Sequence, residues 1–160
     1  MKEIHIAWRG PFSLSEAKEE SKFNSGIYQY YGTHPVYGPD ALLYLGKASD
    51  GTIDSRLNDH IHELWSSDPV KLYIGNIISE EKLSDQEWVS QIEKAEKILI
   101  YTHTPAWNSS NIKSVKYDEL MDIHILNWGY RGKLLPEVSS VRWFGFGNRK
   151  PENLKFQDEF

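Results

Sequence analysis

The sequence predicts a single α/β domain over residues 1–160: a small, mostly antiparallel sheet flanked by helices, with an added strand and helix at the N-terminus and added strands toward the C-terminus. Three observations predict it. Short apolar runs, two of them rich in tyrosine, are bounded by glycine and turn residues between positions 26 and 78. Two segments with apolar residues at helical spacing interleave with them. The 160 residues suffice for one core, and no internal repeat, linker or low-complexity stretch divides them.

In chain order, KEIHIAW alternates apolar and polar residues and reads as a strand. Ser13 with Glu16 three residues on is a capping box, so SLSEAKEESKF starts a short polar helix. SGIYQYYG and ALLYLGKA are aromatic and β-branched or aliphatic strands that pair antiparallel, with THPVYGPD, rich in Pro, Gly and Asp, as the loop between them. In DGTIDSRLNDHIHELW, Ile53, Leu57, Ile61 and Leu64 recur at helical spacing. KLYIGNII is apolar on both faces and therefore reads as a central strand. Ser84 and Glu87 form a second capping box, and Trp88, Ile92, Ala95 and Leu99 carry a helix to about residue 102, which Pro105 forbids from continuing. MDIHILNWG and VSSVRWFGFG read as strands joined by YRGKLLPE.

Composition narrows the function classes. Cysteine is absent, which excludes a disulfide framework, a thiolate metal site and a thiol nucleophile, and suits a cytoplasmic protein. No apolar run approaches the roughly 18 residues that span a bilayer, and the first ten residues carry no signal-peptide pattern, so no membrane partner is expected. The net charge of −5 weighs against a large phosphate-binding surface unless the cations gather on one face, and no block of Lys and Arg guarantees such a face.

One set of residues is ordered in a way that single motifs are not. Gly26-Ile27-Tyr28 lies on the first tyrosine strand and Tyr44-Leu45-Gly46, followed by Lys47-Ala48, on the second. Arg56 comes ten residues past Gly46, with His60 four further on; Glu96 precedes Leu99-Ile100, then Pro105 and Asn108. In this order, on a β-β-α-β-α pattern, residues 26–108 resemble the GIY-YIG nuclease family. The match departs from the family in Leu45, which replaces Ile, and in a longer loop between the tyrosine strands. It covers about half of the chain, and residues 1–25 and 109–160 read as decorations around that core. A literal Tyr73-Ile74-Gly75 also occurs, but Asp85 and not Arg lies ten residues past it and no Gly-Ile-Tyr strand precedes it. That tripeptide is assigned to the central strand, with Leu72, Ile74 and Ile77 as core.

The resemblance implies a metal-dependent endonuclease that hydrolyses phosphodiester bonds, in DNA before RNA, with Mg²⁺ or another divalent cation such as Mn²⁺. It implies Glu96 as metal ligand, Arg56 and His60 as catalytic residues, and Tyr28 and Tyr44 facing the site, with Tyr28 as the one that activates or positions water. The chemistry suits these residue types. Mg²⁺ is held by one or two carboxylates plus waters and substrate oxygens. A guanidinium grips two phosphate oxygens bidentately. A phenol of ordinary pKa, about 10, needs neighbouring cations to act as a base at neutral pH.

Each residue also has a plainer reading. Glu96 at the edge of an apolar helix stripe can pair with Lys94 or Lys97, and Arg56 and His60 can be a solvated pair beside Asp59 and Glu63. Tyr28 and Tyr44 can be cross-strand packing. Lys47 is either a phosphate contact or an exposed strand-end charge. Gly26, Gly46 and Asn108 are structural neighbours of the site, with Asn108 expected to hold the turn after the helix. The aromatic VRWFGFGNRK can stack on bases or extend the sheet. One site per chain and two strands to cut invite a twofold homodimer. The alternative function is a catalytically inactive nuclease-like domain that serves as a nucleic-acid-binding or protein-interaction module.

Overall fold

The computed structural model of the protein describes residues 2–21, 25–49, 51–60, 69–113 and 117–140. In chain order these form β1 (Lys2–Phe12), α1 (Leu14–Ser21), β2 (Gly26–His34), β3 (Gly38–Ala48), α2 (Ile53–His60), β4 (Lys71–Ile78), α3 (Asp85–His103), α4 (Tyr117–Leu120), β5 (Ile123–Gly129) and β6 (Glu137–Ser139).

Both capping boxes start their helices. Ser13 N–H donates to Glu16 Oε2 at 2.8 Å while Glu16 N–H donates back to Ser13 Oγ at 3.3 Å. Ser84 and Glu87 repeat the exchange at the head of α3, at 3.0 and 3.3 Å. Each pair satisfies two donors that a helix start leaves open, a contribution of about 1 kcal/mol. At the other end of α3, Thr104 adopts a left-handed conformation and Pro105 follows, which ends the helix where the sequence requires.

All six strands form one sheet in the order β3-β2-β4-β1-β5-β6. The sheet is mixed, because β1 pairs antiparallel with β4 and parallel with β5. This corrects the expectation of a small, mostly antiparallel sheet: β1, read as a flanking decoration, lies inside the sheet, and β5 and β6 extend it. The expected loop THPVYGPD is also shorter than its composition suggested. His34 pairs with Gly38 across a three-residue turn, and His34 Nδ1 accepts from the Val36 and Tyr37 N–H groups at 3.1 and 3.2 Å. The second half of the predicted helix after Gly51, with Ile61 and Leu64, and the strand segment beyond Ser140, including the aromatic stretch Val141–Lys150, lie outside the described residues.

β4 is the central strand that its two-faced apolar pattern predicts, and alternate residues enter different cores. Leu72 and Ile74 join Ala17, Tyr28, Tyr30, Leu43, Ala48, Ile53 and Leu57 beneath α1 and α2. Tyr73 and Ile77 pack with Ile4, Ile6, Trp8, Ile92, Ala95 and Leu99 beneath α3. The literal Tyr73-Ile74-Gly75 is thus core. A Cβ on Gly75 would stand 2.7 Å from the Trp8 ring, so the glycine is there to admit the indole. Tyr73 meets Tyr31 edge to face, with ring centroids 5.4 Å apart.

Candidate active site

Register brings the first four predicted residues together. On the β2–β3 hairpin Tyr28 stands opposite Gly46, and Tyr30 opposite Tyr44. The pairing then jumps to Tyr31 opposite Leu42, which leaves Leu43 as an extra residue on β3. A bulge of this kind bends its strand and re-aims the neighbouring side chains. The Tyr28 and Tyr44 rings lie 6.0 Å apart, tilted by 34°. Gly46 makes room for both: a Cβ there would stand 2.6 Å from Tyr44 Cε1 and 2.7 Å from Tyr28 Oη. Tyr28, expected to activate water, is only 1% exposed, and Tyr44 is the more open of the two. Gly26 begins β2 two residues before Tyr28, and a Cβ there would fall 2.4 Å from the Gly75 carbonyl oxygen.

β3 is an edge strand, and the segment after α3 covers it. Ala106 and Trp107 donate their N–H groups to the Leu42 and Leu43 carbonyls at 3.1 and 2.7 Å. Asn108 completes the row with its side chain: Oδ1 accepts from Leu45 N–H at 3.0 Å and Nδ2 donates to Leu45 C=O at 2.9 Å. The amide stands in for a strand residue and fixes the backbone between Tyr44 and Gly46. The Asn108 side chain therefore holds β3 rather than its own turn.

Lys47, next to Gly46 in the chain, points to the opposite face of β3 from Tyr44 and meets α3 there. Its Nζ lies 2.8 Å from Glu93 Oε1 and 3.8 Å from Glu96 Oε2. Glu93 and Glu96 are three residues apart on one helix face, where both can reach the same cation. The plainer pairing of Glu96 with Lys97 is not what forms; Lys97 pairs with Glu119 at 3.2 Å. The Glu96 side chain is 15% exposed, and burial pushes its pKa up to about 6 although Lys47 opposes the rise, with Lys97 and, least, Arg56 adding to that opposition. Glu93 pushes the same way as burial. Arg56, half-buried on α2 beside the fully buried Leu57, is thus within electrostatic range of Glu96. His60 ends α2, and its side chain lies outside the described residues.

The donor set suits a hard divalent cation in one respect. Two carboxylates already share a single ammonium, and one or two carboxylates with waters are what Mg²⁺ takes. Among the described residues no group of three or more His, Cys, Asp or Glu could hold a metal ion. A separate cleft of about 740 Å³, lined by residues such as Glu3, His5, Glu80, Glu81 and Gln91, contains none of the predicted site residues. Among the described residues no helix is long and apolar enough to cross a membrane.

Sequence reasoning missed Glu93. Its signal was present, since a carboxylate three residues before Glu96 must share its helix face. The chain matches no protein-family model, no curated protein and no solved structure.

Proposed function

We propose that the protein is a metal-dependent endonuclease of the GIY-YIG type that hydrolyses phosphodiester bonds, with DNA as its preferred substrate. The observation that carries this reading is Glu96: a half-buried helix carboxylate with a raised pKa, 3.8 Å from Lys47 Nζ and under the influence of the Arg56 charge. Carboxylates whose charge burial disfavours are concentrated at sites that use the charge, and ion-paired clusters share the property.

In this reading Glu96 would hold Mg²⁺ or Mn²⁺, and the ion would supply Lewis-acid polarisation of the phosphate and stabilise charge on the leaving oxygen. Arg56 grips the non-bridging oxygens through its planar fork and stabilises the charge that grows on them. Tyr44, the more open ring of the pair, would orient the attacking water, with Tyr28 packed beside it and Gly46 making room for both. Burial on the α1–α2 side of the sheet keeps Tyr28 in one orientation. Water would add to phosphorus and give up one proton to solvent, the bond from phosphorus to the leaving ester oxygen would break, and that oxygen would take up one proton from solvent.

A second reading is a nuclease-like domain that binds without cutting. Lys47 supports it, because its ammonium offsets part of the charge of the two carboxylates without a metal, and so does the net charge of −5. Incubation with supercoiled plasmid and labelled RNA, in Mg²⁺ or in chelator, separates them. The nuclease reading expects Mg²⁺-dependent nicking of plasmid in preference to RNA. Intact substrates across a range of salt and divalent ions would leave the binding module.

A further inference from the structure

Lys47 sits where its charge competes with the very cation that Glu96 is proposed to hold. Its Nζ is 2.8 Å from Glu93 and 3.8 Å from Glu96, and its side chain is 25% exposed, so the ammonium is partly withdrawn from solvent and committed to α3. The shorter contact is to Glu93, whose side chain is the more exposed of the two carboxylates at 45% against 15%. Glu93 is the anchor, and Glu96 feels the ammonium at longer range. Charges at this separation in a partly buried place interact far more strongly than across bulk water.

We infer that Lys47 is the built-in countercharge of Glu96, positioned by Glu93, and that a divalent cation binds at Glu96 only in competition with it. The inference rests on the proposed metal-dependent reading and adds a regulation of its site. Without a divalent ion, Lys47 lowers the cost of keeping Glu96 charged. With one, the ammonium repels the incoming charge and must draw back toward Glu93, which retains it near the site. Glu93 is a positioning residue in this scheme. It keeps Lys47 from closing fully onto Glu96 and so sets the divalent concentration at which the site fills.

The test is direct titration of Mn²⁺ into the full chain without nucleic acid, read by the paramagnetic resonance signal of free Mn²⁺ at constant pH and ionic strength. Removing the ammonium while keeping its stem, Lys47→Met, is expected to tighten Mn²⁺ binding by about tenfold or more. Glu93→Gln, which leaves Lys47 only Glu96 to pair with, is expected to weaken it. Lys47→Gln serves as a second neutral variant should the Met form fold poorly. Equal or weaker binding by the neutral Lys47 variants, against a measurable wild-type affinity lost in Glu96→Ala, would overturn the competition and leave the metal site standing. Mn²⁺ binding that survives Glu96→Ala, or no binding by wild type and neutral variants alike, would overturn both.

Discussion

Replacing Glu96 by Gln keeps the side chain's shape and removes its charge, and the structure fixes the sign of the effect on stability. Burial raises the folded-state pKa from 4.5 to about 6, which corresponds to about 2 kcal/mol between the two protonation states. A group whose folded pKa lies above its unfolded value contributes stability that is fully present below the unfolded pKa. That stability is lost as pH rises through the folded one. Wild type should therefore lose about 2 kcal/mol between roughly pH 4 and pH 8 that Glu96→Gln does not lose. In a chain of this length that is a difference in Tm of about 4–8 °C in favour of the variant at pH 8, and close to none at pH 4. The assay is thermal unfolding of both proteins across this pH range in chelator, so that no divalent ion offsets the burial. A difference that stays flat with pH, or that favours wild type at pH 8, would refute the reasoning. It would mean that Lys47 and Arg56 outweigh desolvation and that Glu96 is an ordinary ion-pair carboxylate.

Three further outcomes are expected from the same geometry. Arg56→Ala should abolish cutting with the far-UV circular dichroism unchanged, and should move the Glu96 carboxyl titration, read by NMR, further upward, because Arg56 lowers that pKa. Gly46→Ala forces a methyl within 2.6 Å of Tyr44 Cε1 and 2.7 Å of Tyr28 Oη. It should cost about 1–3 kcal/mol in denaturant unfolding, and displacing the tyrosine pair should lower the cleavage rate by about a hundredfold. Asn108→Ala leaves the buried N–H and C=O of Leu45 unpaired and should destabilise the fold by about 2–4 kcal/mol, measured by urea unfolding.

Local signals in the sequence were legible because short-range physics decides them. Ser13 with Glu16 and Ser84 with Glu87 announce helix starts, and the apolar stripe from Ile92 to Leu99 announces the buried face of α3. Pairing between distant segments was not legible. Nothing in KEIHIAW says that it will lie beside β5 in parallel, 121 residues on from Lys2 to Ile123, because strands of similar pattern can pair with any open edge. The turn at Pro35–Tyr37 was hidden by residues that serve loops and tight hairpins equally well. Gly38 and Asp40, both at positive φ, let β3 begin almost at once.

The candidate site divides along the same line. Tyr28, Tyr44, Gly46, Lys47, Arg56 and Glu96 are legible as an ordered set; in the fold Tyr28 and Tyr44 meet at Gly46 on the α1–α2 side of the sheet, and Lys47 reaches Glu96 on α3. What could not be read was how each is held. The hold of Asn108 on Leu45 spans 63 residues, and the preference of Lys47 for Glu93 depends on how α3 lies against β3. The two Tyr-x-Gly stretches show the difference most plainly: Gly46 opens space for tyrosines, and Gly75 opens space for a tryptophan.

The most direct test of the nuclease reading is conversion of supercoiled plasmid to nicked and linear forms by wild type and Glu96→Ala side by side, at matched concentration, across a Mg²⁺ titration. Cutting by wild type should rise with Mg²⁺ and vanish in chelator, and the variant should not cut although its fold is intact. Cutting that persists in Glu96→Ala would contradict the site, and no cutting by wild type under any divalent ion would contradict the function.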